Sequence, residues 1–477
     1  MCVKGERYCD LSGEGRLQEY CKIWKPLAKK VAMTKRDVHV VPQLGGLVAP
    51  LAYVPDPGLA TPRHAHKKNK VDSPCDEESL RDSSLPNMVV PVREQLMGKK
   101  VMSFGQLADL DVGLDAGWSS SSSDEELEDR TALPPLVAYK DIETGKRQSL
   151  VEKMLLSAWD EKNDRGLFKY DVSQCLSKKV PGRFEFVAQL NEGRAQKKRQ
   201  TEFKMDDVCQ AFDTKKFNFT KAKQDEVLFQ FEMSVDDFTS CYEENKIVES
   251  NASFVYINIS PIEYGHVLLV PKVLKCIPQQ MSTECLLTAL HMSVEVHNPC
   301  FKFGFNTLGA YASINHLHFQ GYFLNAPFPV ERVETEYLSV FSERGNKDLR
   351  VSKLVDYPVR AFVFELGSDL KELAREVSLA CNKLELKNIP YNLLIVDCGA
   401  RVFLFPQKFD ENKRLNAIPE EILDTQVNPA CFEIGGHMVM KRKEDYENLT
   451  EGIICKILSY ASLTETEFKA VELDLFS

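Results

Sequence analysis

The clearest signal along the chain is a change in the period of its apolar residues. In SLVEKMLLSAWDEKNDRGL, Val151, Met154, Leu155 and Ala158 fall at helical spacing on one face, and Asn163 to Gly166 supply a stop, which predicts an amphipathic helix. The period then shortens: RFEFVAQLNEG, EVLFQFEMS, SFVYINISP and GHVLLVPK read as strands of an antiparallel sheet. TECLLTALHMSVEVH returns to helical spacing, with Leu286, Leu287, Leu290 and Val294 on one stripe, and predicts a helix lying across that sheet. CFKFGFNTLGAYASINHLHFQGYFL follows as loop and strand. The same order then recurs: YPVRAFVFEL as a strand, DLKELAREVSLACNKL as a helix, YNLLIVDCG and RVFLFPQ as a hairpin, and GGHMVMKR as a second strand carrying a histidine. The pattern predicts an α+β fold and is compatible with an internal duplication, although this element order recurs in unrelated folds.

The region before Ser149 reads differently. Residues 1–55 hold short apolar pieces broken by prolines and glycines, which predict partly ordered, irregular structure. Residues 56–130 run from PDPGLATPRHAHKKNK to WSSSSSDEELEDR, the composition of a flexible low-complexity linker or disordered insertion. Ordered structure is expected to divide into residues 131–345 and 346–477, because 477 residues exceed what one core usually organises.

Composition narrows the function. With 43% apolar and 27% charged residues the chain has the balance of a soluble globular protein. A formal net charge of -10 argues against a general nucleic-acid binder, so any phosphate site must be local. The fourteen cysteines include no C-x-x-C pair, which suits free thiols in a reducing compartment. The opening MCVKGERYCDLSGEG lacks the apolar core of a secretory signal, and no apolar run is long enough to span a bilayer. A soluble protein without nucleic-acid or membrane partners is expected.

The sharpest local feature is Asn315-His316-Leu317-His318-Phe319-Gln320. In a strand, alternation puts His316, His318 and Gln320 on one face, where three polar groups would line one cleft. Spacing alone also admits a surface metal pair or the wet face of an edge strand. Asn306, Gly309 and Ser313 precede the histidines with small, hydrogen-bonding side chains able to approach a phosphate closely. Another histidine, His266, stands at the start of the GHVLLVPK strand. His291 and His297 sit in or after a helix and His437 in the second half, where packing or hydrogen bonding is the expected role.

G-H-x-L-L-V-P followed by H-x-H-x-Q resembles the transferase branch of the histidine triad superfamily, with Gln320 standing where its hydrolases have a third histidine. The segments RGLFKYD, AQLNEGR, KFNFTK, NISPIEYGHVLLVP, INHLHFQ, LDTQVNP and GGHMVMKRKEDYE are similar to those of the plant-type GDP-L-galactose phosphorylase family, over a stretch from about Leu155 to the C-terminus. The resemblance implies two histidine-triad-like units of antiparallel sheet with packed helices, as in relatives of galactose-1-phosphate uridylyltransferase. The second unit would supply structure, a substrate wall or the surface of a homodimer.

It also implies phosphorolysis of GDP-L-galactose to GDP and L-galactose 1-phosphate, the committing step toward ascorbate in plants and algae. The substrates are then a GDP-hexose and inorganic phosphate, in the cytoplasm and with nuclear entry left open. The animal-type GDP-D-glucose phosphorylase shares the motif and is the alternative within the class; a non-catalytic guanine-nucleotide sensor is the alternative outside it. His318 would be the nucleophile, oriented by His316 through the neighbouring backbone, with Gln320 donating to a phosphate oxygen. By correspondence, Asn258 would meet the ribose hydroxyls, and Asn306 and Ser313 the α-phosphate. Both of the latter also suit turn capping. Arg194 in NEGRAQKKR would hold phosphate, or lie in a solvated loop, and His266 would line the site or cap a buried strand. No cofactor and no catalytic metal are expected.

Overall fold

A computed structural model describes residues 148–476, apart from 198–202, 204–205, 234–239, 242–250 and 339–348. The readings for residues 1–55 and 56–130 lie outside the described residues. The α+β expectation is met by fourteen strands and ten α-helices among the described residues, and their arrangement differs from the expectation in two places.

The first helix, α1 (Leu150–Asp164), starts at Ser149, whose hydroxyl accepts the Glu152 N–H and so satisfies one of the free donors of the first turn. Val151, Leu155, Leu156 and Trp159 form its buried face, close to the predicted stripe. After β1 (Leu176–Lys179), β2 (Val187–Leu190) and the short α2 (Glu192–Lys197) come β3 (Val227–Met233), β4 (Ser240–Cys241), β5 (Ser253–Ile257) and β6 (Val267–Val270). The helix α3 (Thr283–Val296) is capped by Ser282 and ends at His297, in left-handed conformation. It packs between α1 and a later helix, so Cys285, Ala289, Met292 and Val296 are buried along with Leu286 and Leu290. Each large aliphatic side chain buried there contributes about 1.5–3 kcal/mol.

The strands β7 (Phe301–Asn306), β8 (Phe319–Phe323) and β9 (Thr335–Tyr337) lead into the second half, with β10 (Arg350–Leu354), β11 (Phe362–Glu365), α4 (Leu370–Leu386), β12 (Tyr391–Val396) and β13 (Arg401–Pro406). The helices α5 (Phe409–Arg414), α6 (Glu420–Leu423) and α7 (Cys431–Gly435) precede β14 (His437–Met440); α8 (Lys443–Glu447), α9 (Glu451–Ala461) and α10 (Glu465–Phe476) end the chain.

Eleven of these strands form one sheet in the order β4-β3-β5-β6-β8-β7-β12-β13-β11-β10-β9. The two halves are therefore joined edge to edge, by the antiparallel pairing of β7 with β12 that sets Asn306 opposite Asn392. Each half thereby satisfies an edge that would otherwise be open. One face carries α1, α3, α4 and α10 over a continuous apolar core; the other is covered by the C-terminal helices and a small second sheet. Among the described residues no helix is long and apolar enough to cross a membrane.

The first departure is at the boundary of the halves. Strand β9 pairs with β10 at the far edge, so the sheet divides between Phe323 and Thr335, earlier than the expected 345/346. The second concerns GGHMVMKR, which does not repeat the place of the NHLHFQ strand. Instead β14 crosses back and pairs in parallel with β2 of the first half, His437 opposite Val187 and Met440 opposite Leu190. All four residues of β14 are buried, and Gly436, at φ 111°, makes the turn that aims it there.

Candidate active site

The site is built where β7 and β8 run side by side. Gly304 of β7 lies opposite Gln320 of β8, which sets Asn306 across from the residues just before β8. His316 and His318 precede the strand rather than lying within it, His316 at the end of a bend at residues 314–316 and His318 directly before Phe319. Leu317 and Phe319 enter the core on the helix side, while Gln320 points the other way, toward Cys431 Sγ at 3.6 Å.

The predicted single cleft is not what forms. His316 is fully buried, its Nδ1 accepting the Phe219 N–H at 3.1 Å and its ring packed on Phe212 and Phe219. Burial lowers it to about 3, so it is neutral, with its proton on Nε2. His318 is half-buried beside the same Phe219 ring, 5.2 Å between centroids. The physical reason for the difference is the Phe217–Lys221 segment, which closes over His316 from outside the strand pair and leaves His318 at the rim.

His318 Nδ1 sits 2.8 Å from the His316 carbonyl oxygen. A carbonyl only accepts, so Nδ1 carries the proton and the lone pair is on Nε2. Nε2 makes no hydrogen bond among the described residues. Burial lowers the ring to about 4 and leaves it neutral near pH 7. The two histidines thus hold opposite tautomers, and His318 presents an unprotonated Nε2.

Gln279, which no periodicity or motif singles out, meets His318 as well. Its Oε1 accepts the His318 backbone N–H at 2.9 Å and lies 3.0 Å from Nδ1; its Nε2 donates to the carbonyls of Asn306 at 2.9 Å and His318 at 3.1 Å. The Asn306 Oδ1 is also occupied within the protein: it accepts from Cys431 N–H at 3.0 Å and from Asn392 Nδ2 at 2.6 Å. Asn392 also donates to Ala310, and Gln407 bonds both Asn392 and the Pro429 carbonyl. Two carboxamides of the second half are therefore buried behind the nucleophile. The one sequence sign of this is Asn392 interrupting the apolar strand YNLLIV. Ser313 is half-buried and its hydroxyl makes no hydrogen bond among the described residues.

The remaining candidates form a second group, along β8 from the first. Asn258 and His266 close the β5–β6 turn: Asn258 Oδ1 accepts the Ser260 N–H, its amide lies 3.2 Å from His266 Nε2, and His266 Nδ1 accepts the Ile262 N–H. His266 is fully buried between Tyr322 and Phe432, so it holds the turn rather than facing solvent. Asn191 caps α2 by accepting the Arg194 N–H, and the half-buried Arg194 guanidinium reaches the Ser260 carbonyl. Gly193 has no room for a side chain, since a Cβ would meet the Tyr170 ring at 2.6 Å. Behind the turn, Glu263 is raised to about 7 by burial while accepting from Gln189 at 2.7 Å. His437, lowered by burial to about 3, shares a 2.7 Å hydrogen bond with the Tyr322 hydroxyl. Among the described residues no group of three or more His, Cys, Asp or Glu is placed to hold a metal ion. The chemistry available is an uncharged imidazole with carboxamides beside it, and a guanidinium in the second group.

Residues 150–322 match the family model described as GDPGP1-like, N-terminal domain, and residues 329–477 the one described as GDPGP1-like, C-terminal domain. GDP-L-galactose phosphorylase 1 of Arabidopsis thaliana is 49% identical over 68% of this chain and 72% of its own. GDP-D-glucose phosphorylase 1 of Homo sapiens is 32% identical over 68% of this chain and 83% of its own. Among solved structures, yeast Ap4A phosphorylase Apa2 in complex with Ap4A aligns with 67% of this chain and 99% of its own, with a TM-score of 0.44 and 16% identity.

Proposed function

Since the chain belongs to the GDPGP1-like family, we propose that it is a GDP-hexose phosphorylase, converting GDP-L-galactose and phosphate to L-galactose 1-phosphate and GDP through a guanylyl group on His318. The observation that carries the reading is the arrangement of His318, with Nδ1 protonated against a carbonyl and Nε2 carrying the lone pair. The preference for galactose rests on 49% identity to the plant enzyme against 32% to the human GDP-D-glucose phosphorylase.

In the first half-reaction Nε2 attacks the α-phosphorus, an Nε2–P bond forms and the P–O bond to the sugar phosphate breaks. The electron pair leaves with hexose 1-phosphate, a stable anion that needs little acid assistance. The ring keeps its Nδ1 proton and gains positive charge. In the second half-reaction an oxygen of inorganic phosphate attacks the same phosphorus and the pair returns to Nε2, releasing GDP. Two displacements retain configuration at phosphorus and give ping-pong kinetics. Gln320 and Arg194 are the groups assigned to phosphate oxygens, and Asn258 to the ribose; Asn306, whose Oδ1 is held by the Cys431 N–H and the Asn392 amide, has its Nδ2 assigned as donor to the α-phosphate.

The test is GDP-L-galactose consumption by the purified full chain with and without inorganic phosphate, repeated with GDP-D-glucose. Phosphate-dependent release of GDP, faster from the galactose substrate, is the expected outcome. Phosphate-independent GMP would replace the reading by a hydrolase, and no turnover of either sugar by a nucleotide sensor.

A further inference from the structure

Gln279 touches nothing that the reaction changes covalently, yet more of its hydrogen-bonding capacity is spent on the nucleophile than that of any other side chain described above. It is buried in the loop between β6 and α3, held by its own N–H to Asn315 Oδ1 at 2.9 Å. The orientation of its amide follows from its partners. The His318 backbone N–H only donates, so it fixes the oxygen; the Asn306 and His318 carbonyls only accept, so they fix the nitrogen. With the oxygen so placed, its second lone pair faces His318 Nδ1, and the imidazole meets two carbonyl-type acceptors on that side, His316 O and Gln279 Oε1.

We propose that Gln279 is a positioning residue of the guanylyl transfer, locking His318 in the Nδ1–H tautomer, aiming Nε2, and stabilising the cationic ring formed when Nε2 is guanylylated. The proposal rests on the reading of His318 as nucleophile.

Three consequences follow from the chemistry. A ring with two acceptors at Nδ1 is penalised for moving its proton to Nε2, where it would block attack. A side chain anchored at both backbone ends of residue 318 and on Asn306 has no rotameric freedom with which to let the ring turn. As Nε2 bonds to phosphorus, Nδ1–H becomes a stronger donor, and both hydrogen bonds strengthen in the transition state. An amide does this without charge. A carboxylate in the same place would favour the protonated imidazolium before reaction and so hold the nucleophile back. Of the titratable groups near the loop, His316 is neutral and adds no charge to the ring, and Glu385 accepts from the Met281 N–H and the Tyr391 hydroxyl.

The experiment compares wild type, Gln279→Glu and Gln279→Met as full chains. It measures the guanylyl-enzyme formed in one turnover, by rapid quench and intact-mass analysis, across pH 4 to 8. Wild type is expected to form the adduct down to acid pH. The glutamate variant should show its acid limb displaced upward by a unit or more, and the methionine variant should form the adduct more slowly by on the order of 10- to 100-fold. Folded variants with unchanged acid limbs and rates overturn the role of Gln279. Absence of an adduct on the wild type overturns the His318 reading instead. If neither variant folds, the ¹⁵N resonances of His318 in the wild type, assigned by their loss in His318→Asn, decide: a proton on Nε2 overturns the proposal.

Discussion

His318 and His437 stand in the two halves of the chain, His318 just before a strand and His437 at the start of one, each neutral through burial and each bonded at Nδ1. They are nonetheless suited to different work. At His318 the Nδ1 partners are carbonyl oxygens, which define the tautomer, and Nε2 faces the half-open side of the strand pair. At His437 the Nδ1 partner is the Tyr322 hydroxyl, which can donate or accept, and Nε2 is fully enclosed at 3.9 Å from Glu263. Neutrality alone does not make a nucleophile. It also takes a fixed proton on one nitrogen and access for a substrate at the other.

The comparison is broken most severely at His318. His318→Asn should lower phosphorolysis of the GDP-hexose by on the order of 10⁴-fold or more and leave the unfolding transition nearly unchanged, since the ring is half-exposed. Activity assay and thermal denaturation of one preparation check both halves of the statement; a variant that keeps its turnover refutes the nucleophile. His437→Leu should do the reverse. It strands the buried Tyr322 hydroxyl and should cost about 2–3 kcal/mol in denaturant unfolding, with the guanylyl adduct still forming on His318.

The pH dependence of that cost sharpens the contrast. His437 is held well below its unfolded value of about 6.5. Its contribution to stability is therefore fully present above that pH and is lost as pH falls toward about 3. Glu263 is raised to about 7 and works in the opposite sense, costing stability as pH rises from its unfolded value through that range. The deficit of His437→Leu relative to wild type should consequently shrink by about 1.4 kcal/mol per pH unit between pH 6.5 and 4.5. A deficit independent of pH would mean that His437 is not the buried neutral group described.

The smallest effect is expected one step behind the site. Asn392→Leu removes one of two donors from Asn306 Oδ1 and frees the Ala310 carbonyl, at about 1–3 kcal/mol of stability. It should slow adduct formation less than Gln279→Met does, because the Cys431 N–H still holds Asn306. Denaturant unfolding and the quench assay read the two effects separately.

Much of this molecule was legible in the chain. The helices α1, α3 and α4 follow from apolar spacing, and most of the strands from short alternating runs. The sides on which Leu317, Phe319 and Gln320 lie are those that alternation predicts. Alternation places His316 in one cleft with His318; instead the Phe217–Lys221 segment, distant in sequence, bonds His316 through the Phe219 N–H and buries it fully, while His318, against the same Phe219 ring, is half-buried. The second histidine strand was read as a repeat of the first. It pairs elsewhere because four buried positions, three of them apolar, fit the open side of β2 as well as any place in their own half, and periodicity carries no partner information.

The sequence by itself determined most element types, the family resemblance and the His-x-His-x-Gln motif. Periodic burial, capping and short motifs are written in residues a few places apart. Tertiary structure decided which nitrogen of His318 carries the proton, that β7 and β12 fuse two half-sheets, and that Gln279 bonds His318 while Asn392 bonds Asn306. Those features depend on single hydrogen bonds between residues 39 and 86 positions apart, whose partners no local pattern can specify.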